Sequence, residues 1–185
     1  MTESTPSFKR LEDCAPRDLI RINVRGRTEW ALIGTRNERL LLVCVLSGPN
    51  VPYLFDAAND MGMVRAEYEY PVLWYGQAYS LRPDHTGPCD VNSGALFGAH
   101  GAIVQSDPGS GSSFFLCCEF PERGAKKGYY NIGKGGFSGE PGGMKACYGQ
   151  WALWLDKTVT ETEEPVAVVR FPAPAAAPTS SAGGA

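Results

Sequence analysis

The amino-acid sequence predicts an all-β fold, either a small antiparallel β-barrel or a two-sheet sandwich. The first observation is a series of three strand-like segments, Asp18–Arg25, Glu29–Gly34 and Arg39–Leu46, joined by short polar turns. The second is the alternation of apolar and polar residues in the first segment, which is typical of a half-buried strand. The third is the content of 22 glycines and 14 prolines, which separate many short apolar runs and disfavour long helices.

The opening segment predicts a meander of antiparallel strands. Ile20, Ile22 and Val24 fall on one face of the first strand, whereas Arg21 and Asn23 fall on the other. The run DLIRINVRGRTEWALIG resembles the first hairpin of an SH3-like barrel. This resemblance concerns the pattern of the fold and carries no function with it.

Further elements follow in chain order, with at most one or two short helices among them. Tyr53–Phe55 predicts a short strand, and Asp56–Glu67 predicts one short helix with Asp56 as its N-cap. Val72–Leu81 is rich in aromatic residues and predicts a single strand with a bulge at Gly76. The remaining apolar runs predict strands at Ala102–Gln105, Phe114–Phe120, Gly128–Ile132 and Tyr148–Leu155, with long Gly/Pro-rich loops at Arg82–Gly101 and Gly133–Gly143.

Composition divides the chain into three parts. Residues 1–12 form a loose polar lead-in, residues 13–157 form one all-β domain, and residues 158–185 form a tail. The tail begins with an acidic run and ends in a Pro/Ala-rich stretch, which we expect to be disordered on its own. Within the tail, Val166–Phe171 predicts one more edge strand or a docking segment.

The net charge of −3 and the isoelectric point near 5.4 argue against a dedicated nucleic-acid binder. No apolar run reaches the roughly 18 to 20 residues that a membrane-spanning helix needs, and the N-terminus lacks the apolar core of a signal peptide. We therefore expect no membrane association and a cytoplasmic location. A candidate basic face for nucleic-acid binding comprises Arg21, Arg25, Arg27, Arg36 and Arg39. Acidic residues interrupt it, and the alternative interpretation is an ordinary solvated face of the sheet.

The cysteines predict free buried thiols rather than disulfides. Three of them lie inside apolar runs, where a thiol behaves as a small hydrophobic group. Without a secretion signal, disulfides are the less favoured interpretation. The six cysteines are Cys14, Cys44, Cys89, Cys117, Cys118 and Cys147.

Two histidines and a cysteine form the candidate catalytic or metal centre. His85 and Cys89 are four residues apart in the loop PDHTGPC, and His100 follows in the same long loop. With Cys117 or Cys118 as a fourth ligand, these residues supply the donors that zinc takes. A cysteine nucleophile activated by a histidine is the alternative chemistry. The spacing matches no standard zinc pattern, so we expect no metal and no cofactor, and a polar surface loop is the simpler interpretation.

Aromatic residues form the candidate binding surface, because Tyr and Trp bury much area with few rotatable bonds. In the predicted strand Tyr148–Leu155 a tryptophan falls on each face, so one face is expected to meet a second layer, a subunit or a ligand. The alternative is that these rings fill the core. The candidate binding residues are Trp74, Tyr75, Tyr129, Tyr130, Phe137, Trp151 and Trp154.

These observations favour a non-catalytic binding or assembly module that acts on a protein partner or on a second copy of itself. A viral accessory or host-interaction protein is one version of this hypothesis. One alternative is a hydrolase, dependent on a metal or on a Cys–His pair, centred on His85, Cys89 and His100. Another is a carbohydrate or small-ligand binder with an aromatic pocket. The loop Gly133–Gly143 lacks both standard phosphate-binding patterns and is expected to be a long flexible hairpin loop.

Overall fold

The fold was analysed in a computed structural model of the 185-residue chain. The residues that the structure describes are 6–24, 26–36, 40–48, 51–56, 71–84, 89–90, 99–107, 113–120, 126–157 and 164–173.

Strands are the main secondary structure of the described residues, which also include one turn of 3₁₀ helix at Leu11–Asp13. The strands are β1 Ser7–Arg10, β2 Leu19–Val24, β3 Arg27–Arg36, β4 Leu40–Val45, β5 Tyr53–Asp56, β6 Pro71–Gly76, β7 Tyr79–Pro83, β8 Cys89–Asp90, β9 Ile103–Ser106, β10 Ser113–Phe120, β11 Lys126–Asn131, β12 Phe137–Ser138, β13 Met144–Tyr148, β14 Trp151–Leu155 and β15 Val166–Phe171.

Twelve strands form one large sheet in the order β1-β6-β2-β3-β4-β5-β10-β9-β13-β8, and β11 with β12 extends from β10. All pairings in it are antiparallel except the short contact of β5 with β10. Its two end strands, β1 and β8, are not paired with each other, so the described strands do not close into a barrel. The all-β prediction is confirmed, and its barrel version is not found in these residues.

The second sheet has three antiparallel strands in the order β15-β14-β7. Trp151, Leu153 and Leu155 of β14 belong to the same buried cluster as Leu19 and Leu32 of the large sheet. The two sheets therefore share one core, which agrees with the sandwich version of the prediction.

The predicted opening meander is confirmed as β2, β3 and β4, with Leu19 opposite Leu32 and Ala31 opposite Val45. Ile20, Ile22 and Val24 lie in one buried cluster, as their alternation indicates. The buried cluster that contains Leu19 and Leu32 lies on the opposite face of the same strands, so both faces of this part of the sheet are covered.

Two predicted strands are each divided in the structure. Val72–Leu81 separates at Gly76, which has a φ of +62°, so that β6 joins the large sheet and β7 joins the small one. Tyr148–Leu155 separates at Gly149 and Gln150, and β13 and β14 also enter different sheets. An apolar run does not reveal such a change of sheet, because the side-chain pattern continues across the turn.

The strands extend beyond the limits of the predicted domain at both ends. Ser7–Arg10 pairs with β6 and Leu11 is fully buried, although residues 1–12 were assigned to a lead-in. Val166–Phe171 pairs with β14, and its Val169 is buried in the shared core. The predicted helix after Asp56 and the end of the tail, residues 174–185, lie outside the described residues.

Hydrogen bonds to main-chain carbonyls join the small sheet to the large one. The Tyr79 hydroxyl of β7 donates to the Arg17 carbonyl oxygen at 2.8 Å. The indole N–H of Trp151 in β14 donates to the Gly101 carbonyl oxygen at 2.7 Å. Phe171 of β15 stacks on Trp151 with ring centroids 5.3 Å apart. This stacking lies within the small sheet and supports the position of the Trp151 indole.

The loop Gly133–Gly143 is anchored rather than free, contrary to the prediction of a flexible hairpin. Thr35 of β3 donates its N–H to the Gly135 carbonyl oxygen at 2.9 Å. Gly135 is buried and has a φ of +68°. A side chain at this position would collide with the main chain of Arg17, so the close contact requires glycine. Next to it, the Tyr130 hydroxyl donates to the Ile33 carbonyl oxygen at 2.8 Å.

Five cysteines are free and buried, which confirms the prediction for Cys14, Cys44, Cys117, Cys118 and Cys147. The sulfurs of Cys44 and Cys118 lie 3.5 Å apart inside the shared core. Burial, followed by the adjacent Cys44 thiol, raises the pKa of Cys118 well above its usual value. Burial also raises the pKa of Cys14 to about 11.

The first prediction concerns the packing of Gly101 against Phe171. Gly101 has a φ of +80°, and a side chain there would overlap the Phe171 ring. Gly26 is the control, because it has a φ of +81° and no atom lies near the position of an added Cβ. Gly26→Ala should therefore lower the free energy of unfolding only by the cost of a positive φ at a residue with a side chain, about 1 kcal/mol. We expect Gly101→Ala to lower the free energy of unfolding by roughly 2–4 kcal/mol, since overpacking is added. Urea denaturation of both variants measures the difference, and equal losses would contradict the contact.

The second prediction is a loss of stability at high pH. Burial raises the pKa of Tyr129 to about 12 and that of Tyr130 well above its usual value. In the unfolded chain, the pKa is about 8.5 for a cysteine and about 10 for a tyrosine. As the pH rises, the unfolded state therefore releases protons that the folded state retains. The stability from these groups is therefore complete below about pH 8 and lost as the pH rises.

Urea denaturation between about pH 7 and pH 10.5 measures this loss as a falling free energy of unfolding. Tyr130→Phe removes one of the raised groups, so its curve should fall less steeply above about pH 9.5 even though the variant is less stable at pH 7. A free energy of unfolding that stays constant to the highest pH would show the prediction to be wrong.

Candidate functional site

The candidate site is the face of the three-stranded sheet that points away from the shared core. Along β14, Trp151, Leu153 and Leu155 face the core, so Ala152 and Trp154 face outward. Directly paired residues of antiparallel strands share a face, which allows the neighbouring side chains to be placed. We call this surface the outer face; its central residues are Ser80, Arg82, Ala152, Trp154 and Arg170.

Two arginines flank a small residue across the outer face. Ala152 is paired with Arg82 on one side and with Arg170 on the other. Both arginines are exposed, and Ala152 between them is 8% exposed. Since neighbouring strands are about 4.8 Å apart, the two arginine Cβ atoms are roughly 10 Å apart, with only a methyl group between them. We call this alignment the arginine row.

The next alignment along the strands contains a tryptophan and a serine. Trp154 is paired with Ser80 and with Ala167. The Arg170 guanidinium lies over the Trp154 ring, 5.4 Å from its centroid, which is a cation–π geometry. The Ser80 hydroxyl oxygen is buried and has no hydrogen-bond partner among the described residues. The outer face thus combines a held guanidinium, an aromatic ring and an unsatisfied hydroxyl.

Within the described part of the chain, no ion pair is formed by Arg82 or Arg170, whereas Lys145 and Asp107 pair at 3.0 Å. The nearest acidic residue in sequence is Asp84, whose N–H donates to the Gln150 carbonyl oxygen at 2.8 Å. Asp84 is exposed at the end of β7, and Asp156 continues the alternation of Ala152 and Trp154 beyond the end of β14. Acidic residues therefore flank the two arginines at both ends of the outer face.

A groove of about 340 Å³ opens at the end of the outer face. Its wall contains one charge of each sign, from Arg170 and Asp84, together with the amide of Gln150. The groove is therefore suited to a polar group rather than to a purely apolar one. It is lined by Asp84, Gln150, Trp151, Ala152, Arg170, Phe171, Pro172 and Ala173.

The predicted aromatic residues do not converge on one surface. Trp74 donates its indole N–H to the Asp18 carboxylate at 2.7 Å, with the Lys9 ammonium 4.6 Å from its ring centroid. Tyr75 is 9% exposed and packs on Trp30, with ring centroids 4.8 Å apart. Both rings contribute to packing at the junction of β6 with β1 and β2.

Three more of the predicted rings are interior. Tyr130 is fully buried, and Tyr129 lies in a separate buried cluster on the opposite side of β11. Phe137 packs edge-on against Phe120, with ring centroids 5.1 Å apart, and covers Gly128. The core-filling interpretation therefore describes the geometry of these three better than a shared binding pocket does.

The last two predicted rings lie at the candidate site. Trp151 is 2% exposed and faces the core, although it also lines the groove. Trp154 is half-buried on the outer face under Arg170. Of the seven predicted binding residues, these two are the ones that the outer face and its groove bring together.

The candidate catalytic residues are only partly described. His85 lies outside the described residues, and Cys89 is placed only through its backbone, opposite Tyr148. His100 Nε2 donates to the Val51 carbonyl oxygen at 2.8 Å, and its Nδ1 lies 3.5 Å from the Glu119 carboxylate. Among the residues that the structure describes, no three His, Cys, Asp or Glu side chains converge as a metal site would need. The zinc and nucleophile hypotheses remain predictions.

The candidate basic face on the first strands is only partly visible. Arg21 lies 5.2 Å from the Trp30 ring centroid and donates to the Thr28 carbonyl oxygen at 3.3 Å. Glu29, which interrupts the basic pattern in the sequence, is buried and accepts a hydrogen bond from Ser47 at 2.7 Å. Arg27 is exposed, and the side chains of Arg25, Arg36 and Arg39 lie outside the described residues.

Sequence reasoning missed both residues of the arginine row. The sequence places Arg82 at the start of a long loop, whereas the structure places it in β7. Arg170 lies in a segment of the tail that predicts an edge strand or a docking segment, and the structure forms the strand β15 there. The alternation in Val166–Phe171 indicates a strand, yet nothing in the sequence indicates that Arg82 and Arg170 share a neighbour. Their alignment follows from the strand order β15-β14-β7.

Comparison with family models, with curated proteins and with solved structures finds no match to this chain. In the described part of the chain, no helix has the length and apolar character needed to cross a bilayer. The function must therefore be argued from the residues of the site alone.

The third prediction concerns thiol reactivity. Burial raises the pKa of Cys14, Cys117 and Cys118, which keeps these thiols protonated near neutral pH. Only the thiolate reacts with iodoacetamide, and all five buried cysteines are also shielded from the reagent, so we expect them to stay unmodified in the folded protein at about pH 8. Peptide mass spectrometry measures the modification. The same treatment in urea is the control and should modify all five, whereas rapid native modification of any one of them would contradict the described burial.

Proposed function

We propose that the chain is a non-catalytic binding module that holds an acidic segment of a protein partner on the outer face of its three-stranded sheet. The observation that carries this proposal is the arginine row, in which Arg82 and Arg170 flank Ala152 on a rigid sheet. A guanidinium presents a planar fork of donors that matches a carboxylate, and clusters of arginines are a recurring means of recognising acidic motifs.

The surrounding charge also supports a specific rather than a general attraction. The whole chain has a net charge of −3, so a pair of exposed arginines stands out against an acidic background. Such a local positive patch steers a negatively charged partner to one surface and repels it from the others. Trp154 adds a large ring of the kind found at binding surfaces.

Two parts of the original hypothesis stay within this proposal. The partner is a different protein, but a second copy of this chain is an alternative, because its own tail carries an acidic run at Glu161, Glu163 and Glu164. A cytoplasmic location is also proposed, and the free thiols of the described cysteines support it, since reducing compartments keep thiols in that state.

A small-ligand function is the second candidate, and the groove beside the arginine row favours it. Its volume of about 340 Å³ is at the low end of the range for small-molecule sites. The carboxylate of Asp84 and the guanidinium of Arg170 are able to orient a small polar molecule that carries both charges. A carbohydrate is less well supported, because the Trp151 ring is covered by Phe171.

The fourth prediction tests the proposal by charge reversal. The probe is a short fluorescein-labelled peptide rich in glutamate, and the measurement is fluorescence anisotropy at low and high salt. The double variant Arg82→Glu/Arg170→Glu should bind at least about tenfold more weakly than the wild type, since each charge-assisted hydrogen bond contributes about 1.5–3 kcal/mol. Binding by the wild type should weaken as salt is added.

The matched control is Arg27→Glu/Lys126→Glu, which makes the same change in net charge at two exposed residues away from the outer face. If both double variants lose affinity equally, the attraction depends only on net charge and the proposed site is wrong. If the wild type does not bind the peptide, the acidic-segment proposal is wrong. Native mass spectrometry of the chain alone then tests the second-copy alternative.

A further inference from the structure

We infer that the group held between Arg82 and Arg170 is the phosphoryl monoester of a phosphorylated residue in the partner segment. This inference rests on the proposed function and specifies the chemistry of its ligand. It concerns the arginine row rather than the groove beside it.

The spacing of the arginine row favours one shared anion. The two Cβ atoms are roughly 10 Å apart, and an arginine side chain is long enough for both guanidiniums to meet above the residue between them. That residue is Ala152, whose methyl group is the smallest side chain that could separate the two arginines apart from glycine. The arginine row therefore allows two guanidiniums to approach a compact anion from opposite sides.

A phosphoryl monoester suits this arrangement better than a carboxylate does. A carboxylate has two oxygens and one charge, and a single guanidinium in bidentate geometry occupies both oxygens. A phosphoryl monoester has three terminal oxygens and a charge of about −1.5 to −2 at neutral pH. It is thus able to accept paired hydrogen bonds from one guanidinium and further bonds from the second.

One feature of the outer face prepares it for such a ligand. The Arg170 guanidinium is already positioned by the Trp154 ring at 5.4 Å, so less side-chain freedom is lost on binding.

Two carboxylates on this face oppose the anion. Asp84 follows Arg82 by two residues and lines the groove at the strand end. Asp156 follows Trp154 by two residues and aligns with Ala78, so alternation places it at the other end of the outer face. The ligand is thus expected over the arginine row, between these two acidic residues.

The test compares three peptides that differ at one central residue, which is serine, phosphoserine or glutamate within the same glutamate-rich sequence. Anisotropy of the full-length protein with each labelled peptide gives the three affinities. We expect the phosphoserine peptide to bind at least tenfold more tightly than the glutamate peptide. Equal affinities would overturn this inference and leave the proposed function standing, whereas failure of all three peptides to bind would overturn both.

Variants of the row separate charge from shape. Arg82→Lys/Arg170→Lys keeps both charges but loses the bidentate forks, so the advantage of phosphoserine over glutamate should shrink while binding persists. Ala152→Leu enlarges the side chain between the two arginines without changing charge and should remove the same advantage. Arg27→Lys is the matched control and should change nothing. An unchanged phosphoserine advantage in both the double-lysine and the Ala152→Leu proteins would overturn the inference.

Competition identifies the source of the phosphoryl group. Unlabelled phosphopeptide should displace the labelled peptide at a lower concentration than a nucleoside monophosphate does. The opposite order would assign the site to a nucleotide and would overturn the inference as stated.

Discussion

Two hydrogen bonds, one buried and one part-buried, hold the small sheet on the large one, and the outer face depends on them. The Tyr79 hydroxyl and the Trp151 indole each donate to a main-chain carbonyl in a turn next to the large sheet, at Arg17 before β2 and at Gly101 before β9. The apolar contacts of β14 supply most of the stability, but hydrophobic burial has no direction and does not fix an orientation. A buried carbonyl that loses its donor costs about 1–3 kcal/mol, which applies to Gly101, and the part-buried hydrogen bond at Arg17 opposes sliding of the small sheet at a second point.

That fixed orientation is what gives the outer face its rigidity. The small sheet exposes one side because its other side is occupied by the shared core, and its pairings align Arg82, Ala152 and Arg170. The register of β15 shifts between Leu153 and Trp154, which places Trp154 opposite Ala167. Such an irregularity bends an edge strand and discourages pairing with another sheet, so β15 is better suited to presenting side chains than to extending the sheet.

The sequence is sufficient to predict what depends on local pattern. The opening meander is predictable because the alternation around Ile20 and Ile22 has one interpretation once a core is required. The divisions at Gly76 and at Gln150 are not predictable, because the aromatic pattern runs through each turn while the two halves enter different sheets. The arginine row is the least predictable feature, because Arg82 and Arg170 flank Ala152 only as a result of the strand order.

The aromatic residues also show the limit of prediction from sequence alone. A composition rich in Tyr and Trp predicts binding surfaces and cores equally well, and only burial separates the two. Tyr130 and Trp151 are almost fully buried, whereas Trp154 on the neighbouring face retains exposure. Residue type alone thus does not separate a core ring from a surface ring, and the direction in which each strand faces decides which rings are exposed.

The order of the strands along the chain has a consequence for the timing of synthesis. β7 leaves the ribosome early, β14 much later, and β15 last of the three, because synthesis proceeds from the N-terminus. Until β15 has emerged, the nascent chain lacks Arg170 and also the share of the core that Val169 fills. The outer face is therefore complete only when folding is complete, and it exists on finished molecules but not on growing ones.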